Sequence, residues 1–164
     1  MTRPHGFTLV ELMVTLAVLA ILASVAVPSF HALVQNNRAT TLANQLTTAI
    51  NLARSEAIRR GVVASVCSDD WEAGWRVELG AGCDADDGDV LRIWDAPHAS
   101  SVIDSGGDDA VSFEPTGEKR IPLGTANPEA TVFQVHAENC SGLRARTLNV
   151  APGGRVGVER VNCP

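Results

Sequence analysis

The chain begins with a nearly unbroken run of apolar residues that contains a single charge. Residues 7 to 27 are Phe, Leu, Val, Met, Ala and Ile with three hydroxyl residues, and Glu11 is the only ionisable side chain among them. As a helix, this run is roughly 30 Å long, which matches the thickness of a bilayer core. Because an unpaired acid in hydrocarbon is costly, the pattern predicts a membrane helix in which Glu11 is functional.

A second hydrophobic pattern, with the spacing of an amphipathic helix, follows Pro28. Apolar residues recur at steps of three and four from Leu42 to Ala57, with polar and charged residues between them. Gly61 is a suitable stop, and the two arginines before it are favourable at a helix C-terminus. The sequence therefore predicts one long helix, from about residue 7 to residue 60, whose second half packs on a sheet.

Beyond Gly61 the pattern changes to short strands separated by connectors rich in Gly, Asp and Pro. Alternating polarity and β-branched residues indicate seven strands, at residues 62–67, 75–79, 90–94, 111–113, 131–135, 144–150 and 155–161. The expected fold is α+β: one long helix covered by a single antiparallel sheet of about seven strands. We expect the three tryptophans to fill its core, as aromatic residues in so small a domain usually do.

Composition and charge narrow the class of function. The 164 residues suit one small domain behind the apolar helix, and a net charge of −6 argues against generic nucleic-acid binding. All four cysteines lie beyond the apolar run, which favours an oxidising compartment. The sequence has no phosphate-binding loop, paired catalytic acids or His-Glu-x-x-His motif, so we predict neither an enzyme nor a cofactor.

The N-terminal string Gly-Phe-Thr-Leu-Val-Glu, at residues 6 to 11, carries a family resemblance. It follows a short leader with one basic residue, Arg3, and precedes the apolar run and Pro28. This arrangement resembles the class III signal of type IV pilins and pseudopilins. A secretory signal peptide fits less well, because its apolar core is shorter and ends in an A-x-A-like cleavage site. Arg3 places the leader in the cytoplasm by the positive-inside rule.

The resemblance implies a processing route and a role for each residue of this segment. Prepilin peptidase would cleave between Gly6 and Phe7, and the new amino group of Phe7 would be methylated. Glu11 would pair with the Phe7 amino group of a neighbouring subunit, which fixes the register of assembly. Pro28 corresponds to the helix-kinking proline of the family, so we assign Glu11 and Pro28 to assembly.

The same resemblance implies the domain organisation and the location. The expected segments are a cleaved leader, a transmembrane and assembly helix, an amphipathic helix and a β-sheet domain, at residues 1–6, 7–28, 29–61 and 62–164. The protein would sit in the bacterial inner membrane with a periplasmic C-terminal domain, and its partners would be prepilin peptidase and other major and minor pilins or pseudopilins.

The second half resembles the GspH/FimT branch of pseudopilins. The chain has, in order, a helix ending in Ala-Arg-Ser-Glu-Ala, a valine-rich strand, Trp-x-x-Gly-Trp, Phe-x-Pro-x-Gly and a terminal Gly-Arg strand. The resemblance implies a minor pilin that takes part in assembly or initiation of a type IV pilus. The alternative is the H pseudopilin of a type II secretion system, which shares this signature.

The cysteines predict two local disulfides. Four cysteines allow three pairings, and local pairing joins Cys67 to Cys83 and Cys140 to Cys163, each bridge being worth ~3 kcal/mol. The second bridge resembles the C-terminal disulfide loop of many type IV pilins. The alternative, a zinc site, lacks support because no Cys-x-x-Cys motif or His/Cys cluster is present. We predict no metal site here.

Two further hypotheses concern charged segments. The residues Asp-Ala-Asp-Asp-Gly-Asp at 84–89 invite calcium, but they do not meet the EF-hand pattern, and a solvated acidic loop is favoured. DNA-binding FimT-type proteins carry Gly-Arg-x-Arg near the C-terminus, whereas Gly157 replaces the second arginine here. A second alternative function is therefore a minor pilin that captures DNA for natural transformation, using Arg144, Arg146, Arg155 and Arg160.

Overall fold

The computed structural model describes residues 8–81, 83, 89–121 and 130–164. These residues form one helix and eight strands: α1 (Leu9–Arg60), β1 (Ala64–Cys67), β2 (Gly74–Leu79), β3 (Val90–Asp95), β4 (Ser101–Asp104), β5 (Ala110–Phe113), β6 (Thr131–Ala137), β7 (Ala145–Val150) and β8 (Val156–Val161). The chain divides into two compact units, Met1–Val34 and Gln35–Pro164. The predicted long helix and α+β class are confirmed.

The first unit contains the apolar part of α1. By length and composition, α1 is able to cross a membrane, and the mean hydropathy of its most apolar 18-residue window is 2.5. Its large apolar side chains are more than half exposed, and they are Leu9, Val10, Leu12, Met13, Val14, Leu16, Val18, Leu19, Ile21, Leu22, Val25, Val27, Phe30 and Leu33. A helix that is apolar all round and covered by nothing is unstable in water, so this surface requires lipid or other apolar helices.

The second unit contains two antiparallel sheets. Sheet A has the strand order β3-β2-β1-β5, and sheet B has the order β4-β6-β7-β8. The single sheet of about seven strands expected from the sequence is therefore wrong. The strand missed by the pattern is β4, whose four residues contain only two apolar ones, too few to show alternation. Strand alternation also sets which face a residue lies on but not which strand is its neighbour.

One core joins both sheets to α1. The helix contributes Leu42, Leu46 and Ile50, with alanines between them that allow close approach of the strands. Sheet A contributes Phe113 and sheet B contributes Phe133. The last four of these side chains are fully buried, and burial of each is worth roughly 1.5–3 kcal/mol. The amphipathic second half of the helix thus packs as the sequence predicts.

The tryptophans lie in or against this core. Trp71 and Trp75 are 6% and 3% exposed, and Trp71 packs edge-on against Phe133 with 4.8 Å between ring centroids. Trp94 is half-buried and stacks on Trp75 at 6.4 Å. The prediction that these residues fill the core is confirmed for Trp71 and Trp75, and Trp94 covers the edge of the same cluster.

The helix stop is also confirmed. Gly61 has a φ of 69° and its N–H donates to the carbonyl oxygen of Ala57 at 3.0 Å. This left-handed residue with a bond back into the last turn is the usual glycine C-cap. In that last turn Glu56 pairs with both Arg59 and Arg60, and the hydrogen bond from Arg59 is the main cause that lowers the pKa of the Glu56 carboxyl.

Candidate functional site

The N-terminal turn of α1 is capped by Thr8. The Thr8 hydroxyl accepts the N–H of Glu11 at 3.2 Å, and its carbonyl oxygen accepts the N–H of Leu12 at 3.1 Å. Thr8-x-x-Glu11 is therefore a capping-box sequence, and Glu11 lies in the first turn, where a carboxylate is favourable against the helix dipole. Within the described part of the chain, the Glu11 carboxylate has no ion-pair partner.

The structure describes less of the other residues predicted for processing and assembly. Gly6 and Phe7 lie outside the described residues. α1 continues through position 28, where the sequence has Pro28. The processing site and the roles of Glu11 and Pro28 stay predictions.

Three of the sequence signatures meet at one place, which we call the signature junction. Arg54, from Ala-Arg-Ser-Glu-Ala, donates through Nε to the carbonyl oxygen of Gly117 at 2.8 Å and through Nη2 to that of Gly153 at 3.1 Å. Gly117 ends Phe-x-Pro-x-Gly, and Gly154 begins the terminal Gly-Arg. Both glycines are buried.

The glycines of the junction are required by close approach as well as by backbone conformation. Gly117 and Gly154 have φ values of 83° and 77°. A Cβ on Gly154 would lie 2.1 Å from the Gly117 carbonyl oxygen, and a Cβ on Gly117 would lie 2.7 Å from Cδ1 of Ile58. The two turns are also joined directly, because the Lys119 N–H donates to the carbonyl oxygen of Pro152 at 2.8 Å.

The signature junction joins α1 to the turns that follow β5 and β7. The turn at Gly117 follows β5 of sheet A, and the turn at Gly154 joins β7 to β8 of sheet B. Arg54 ties both turns to α1. Sequence reasoning used these motifs as family markers and missed Arg54, although it stands inside one of them. Its backbone acceptors belong to distant segments that no sequence pattern links.

The two predicted disulfides are present. Cys67 is bonded to Cys83, and Cys140 is bonded to Cys163, with sequence separations of 16 and 23. Cys140 follows β6 and Cys163 follows β8, so the second bridge fastens the chain end to sheet B. The Cys163 N–H donates to the carbonyl oxygen of Gly142 at 2.9 Å, which adds a second link there.

A buried acid lies beside the first disulfide. Glu78 is fully buried, and its carboxylate accepts from Nε of Arg76 at 2.7 Å, which raises the pKa of Arg76. The carboxylate and the sulfurs of Cys67 and Cys83 lie within 4.8 Å of one another, a spacing that suits a metal. In the structure both sulfurs are joined in the disulfide, so they are not thiolate ligands.

Sequence reasoning missed Glu78. It occupies a polar position of an alternating strand, a pattern typical of an exposed residue. The acidic segment considered for calcium falls outside the described residues except for Asp89, which is exposed.

Three of the four predicted DNA-contacting arginines are close together, and the fourth is not. Arg146 and Arg160 lie directly opposite each other in the β7–β8 pair, and Arg144 precedes β7. Arg155 lies beyond the other end of the pair, five residues from Arg160, or roughly 17 Å along a strand. The four residues therefore do not form one compact patch.

Two of the clustered arginines hold the beginning of the second unit. Arg146 Nη2 donates to Oδ1 of Asn36 at 2.7 Å and to Oγ1 of Thr40 at 3.0 Å. Arg144 Nη1 lies 3.4 Å from Oε1 of Gln35. Burial lowers the pKa of Arg146, and the positive charge of Arg160 lowers it further.

Comparisons with known proteins identify the family. The family of the type II transport protein GspH matches residues 42–154, more than half of the chain, and the prokaryotic N-terminal methylation motif matches residues 1–27. The GspH match includes the helix and both turns of the signature junction. Among curated protein sequences, none is significantly similar to this chain.

Solved structures share the fold. A crystal structure of the type IV minor pilin FimU from Pseudomonas aeruginosa strain PAO1, in space group P21, has a TM-score of 0.59 and 21% identity, covering 75% of this chain and 89% of FimU. A second FimU crystal form, in space group P65, gives a TM-score of 0.56 and 20% identity, covering 73% and 91%. The family match, the methylation motif and the shared fold together show that this chain belongs to the GspH family of type IV pilin-like proteins, the minor pilins and pseudopilins.

Proposed function

We propose that this chain is a minor pilin of a bacterial type IV pilus, inserted in the inner membrane with its second unit in the periplasm. The observation that carries the proposal is the contrast along α1. Its large apolar side chains are exposed from Leu9 to Leu33, whereas the same helix is buried from Ala39 to Ala57 on the face toward the sheets. The exposed part needs lipid before assembly and the helices of other subunits in the filament.

Processing prepares the exposed helix to move from the lipid into the filament. Prepilin peptidase cuts between Gly6 and Phe7 and the Phe7 amino group is methylated, which places a positive charge four residues before Glu11. Glu11 of one subunit pairs with the Phe7 amino group of its neighbour. Breaking a buried pair by removing one partner typically costs about 3–5 kcal/mol, so the pair favours a single register.

The alternative role is that of a type II secretion pseudopilin, which would use the same processing and the same helix. The Cys140–Cys163 bridge supports the pilus, because it resembles the C-terminal disulfide loop of many type IV pilins. A pilus subunit exposed outside the cell gains from a bridge that fastens the segment after β8 to the segment after β6.

DNA capture stays a prediction. The four arginines predicted for it do not form one compact patch, because Arg155 lies roughly 17 Å from Arg160 along the strand.

Gene deletion in the native host distinguishes these roles. Twitching motility, DNA uptake and exoprotein release are scored in the deletion strain and after complementation with the wild-type gene or with Gly6→Glu. We expect loss of twitching with normal exoprotein release, rescue by the wild type, and no rescue by Gly6→Glu, which stays uncleaved. Loss of secretion with normal twitching would replace the pilus assignment with the secretion system.

A further inference from the structure

Arg144, Arg146 and Arg160 form a compact group that we call the arginine cluster. The direct pairing of Arg146 with Arg160 across β7 and β8 fixes two of its members, and the residue just before β7 supplies the third. Arg160 is exposed, while the other two are half-buried. The β7–β8 pair thus concentrates three positive charges on a protein whose net charge is −6.

The hydrogen bonds of the arginine cluster go to neutral acceptors. Beyond the Asn36, Thr40 and Gln35 contacts, Arg144 donates to the hydroxyl of Ser141 at 3.1 Å. The other acceptors are backbone oxygens: that of Ala145 for Arg146, at 3.0 Å, and that of Leu143 for Arg160, at 2.5 Å. The five ion pairs within the described residues involve none of these arginines.

The acid next to the cluster in sequence, Glu159, does not face it. Glu159 is adjacent to Arg160 in β8 and therefore points to the opposite face of the sheet. Arg38 of α1 adds another positive charge near the same helical turns, and it donates to the hydroxyl of Ser100 at 2.7 Å. Three guanidinium groups without a carboxylate partner among the described residues suit an anion, and their planar donors match phosphate oxygens.

The position of the cluster along the chain indicates the source of the phosphate. Its contacts on α1 run from Gln35 to Thr40. Gln35 is eight residues after Val27 in the sequence, and Val27 is the last residue of the apolar run. Basic residues this close to a membrane segment lie within reach of lipid headgroups, where each contributes about 1 kcal/mol toward an anionic surface.

We propose that the arginine cluster binds the phosphate of an anionic phospholipid in the leaflet from which the second unit emerges. This inference rests on the proposed membrane-inserted state of the subunit. The site holds one or two phosphates, because its three arginines lie close together and Arg155 is too distant to extend it. It ties the start of the second unit to the membrane surface before the subunit enters a filament.

Native mass spectrometry of the purified full-length chain in detergent tests the proposal. Phosphatidylglycerol and phosphatidylcholine with the same acyl chains are added in equal amounts, and the retained lipids are counted. The test variant is Arg144→Gln with Arg160→Gln, which leaves Arg146 and its helix contacts in place. The matched control is Arg59→Gln with Arg120→Gln, which removes the same charge from arginines already paired with Glu56 and Glu114.

We expect wild type and control to retain phosphatidylglycerol preferentially, and the test variant to bind it at least tenfold more weakly. Unchanged preference in the test variant, with tryptophan fluorescence showing a folded core, would overturn the proposal. Displacement of the lipid by inorganic phosphate at equal concentration would show a free anion site instead. Displacement by a short DNA duplex at equal phosphate concentration would assign the cluster to DNA.

A precursor variant separates this inference from the proposed function. Gly6→Glu leaves the cluster intact, so it should retain phosphatidylglycerol as well as wild type does while failing to support twitching. Retention by the precursor together with normal twitching in the deletion strain would support the lipid site and reject the pilus role. If wild type shows no preference for phosphatidylglycerol while twitching still depends on the gene, the lipid site is rejected and the pilus role is supported.

Discussion

Gly154→Ala tests whether the signature junction holds α1 and the two sheets together. The new Cβ would lie 2.1 Å from the Gly117 carbonyl oxygen and 2.8 Å from Nε of Arg54, so one turn must move. Movement breaks at least one of the two Arg54 hydrogen bonds, each of which is worth roughly 1.5–3 kcal/mol as a bond to a charged group. The positive φ of Gly154 adds about 1–2 kcal/mol for any L-residue.

The control for this variant is Gly142→Ala. Gly142 has a φ of 67°, similar to that of Gly154, but nothing lies within 4 Å of an added Cβ. The Gly142→Ala variant therefore measures how much an L-residue at positive φ lowers the free energy of unfolding when its Cβ meets no other atom. We expect Gly154→Ala to lower the free energy of unfolding by at least about 2 kcal/mol more than Gly142→Ala does.

Denaturant unfolding of the full chain in detergent, followed by tryptophan fluorescence, measures this difference. Trp71 and Trp75 report on the core that the junction closes. Arg54→Ala should destabilise by a comparable amount, and the double variant Arg54→Ala with Gly154→Ala by less than the sum, since both remove the same bonds. A difference below about 0.5 kcal/mol between the two glycine variants, which is within the error of such comparisons, would show that the close contact at Gly154 does not stabilise the fold.

Two further predictions concern the tryptophans of the core and the second disulfide. Trp71→Phe should cost about 1 kcal/mol more than Trp75→Phe in the unfolding free energy, because Trp71 Nε1 donates to a backbone carbonyl at 2.9 Å while Trp75 Nε1 is buried without a partner among the described residues. Equal costs in denaturant unfolding would count against this. Replacing Cys140 and Cys163 by serine should lower the unfolding free energy by about 3 kcal/mol through the freed loop, and a variant as stable as wild type would contradict the bridge.

The sequence predicted the elements that depend on local pattern. The apolar and amphipathic parts of α1 follow from hydrophobic spacing, and the stop at Gly61 follows from local backbone chemistry. The disulfides Cys67–Cys83 and Cys140–Cys163 followed from short separations, because both loops are short enough for local pairing.

Features that depend on distant contacts were not predictable in this way. The division into two sheets is set by strand neighbours, and the burial of Glu78 is set by Arg76 and the disulfide beside it. Arg155 and Arg160 share one predicted strand, yet only the register with β7 shows that Arg160 meets Arg146. Arg54 was missed for the same reason, since its acceptors lie in two distant turns.

Glu11→Gln provides the most direct test of assembly through the N-terminal charge pair. Glutamine keeps the Thr-x-x-Gln capping sequence and removes only the charge, so helix formation is preserved. The control is Thr15→Ala, because the Thr15 hydroxyl donates only within its own helix, to the carbonyl oxygen of Leu12.

The measurement is the share of cleaved protein that appears in sheared filaments, by immunoblot of filament and membrane fractions. We expect Glu11→Gln to be inserted and cleaved after Gly6 as wild type is, yet to be at least tenfold depleted from filaments, while Thr15→Ala is incorporated normally. Normal incorporation of Glu11→Gln would show that the Glu11 charge is not needed for assembly.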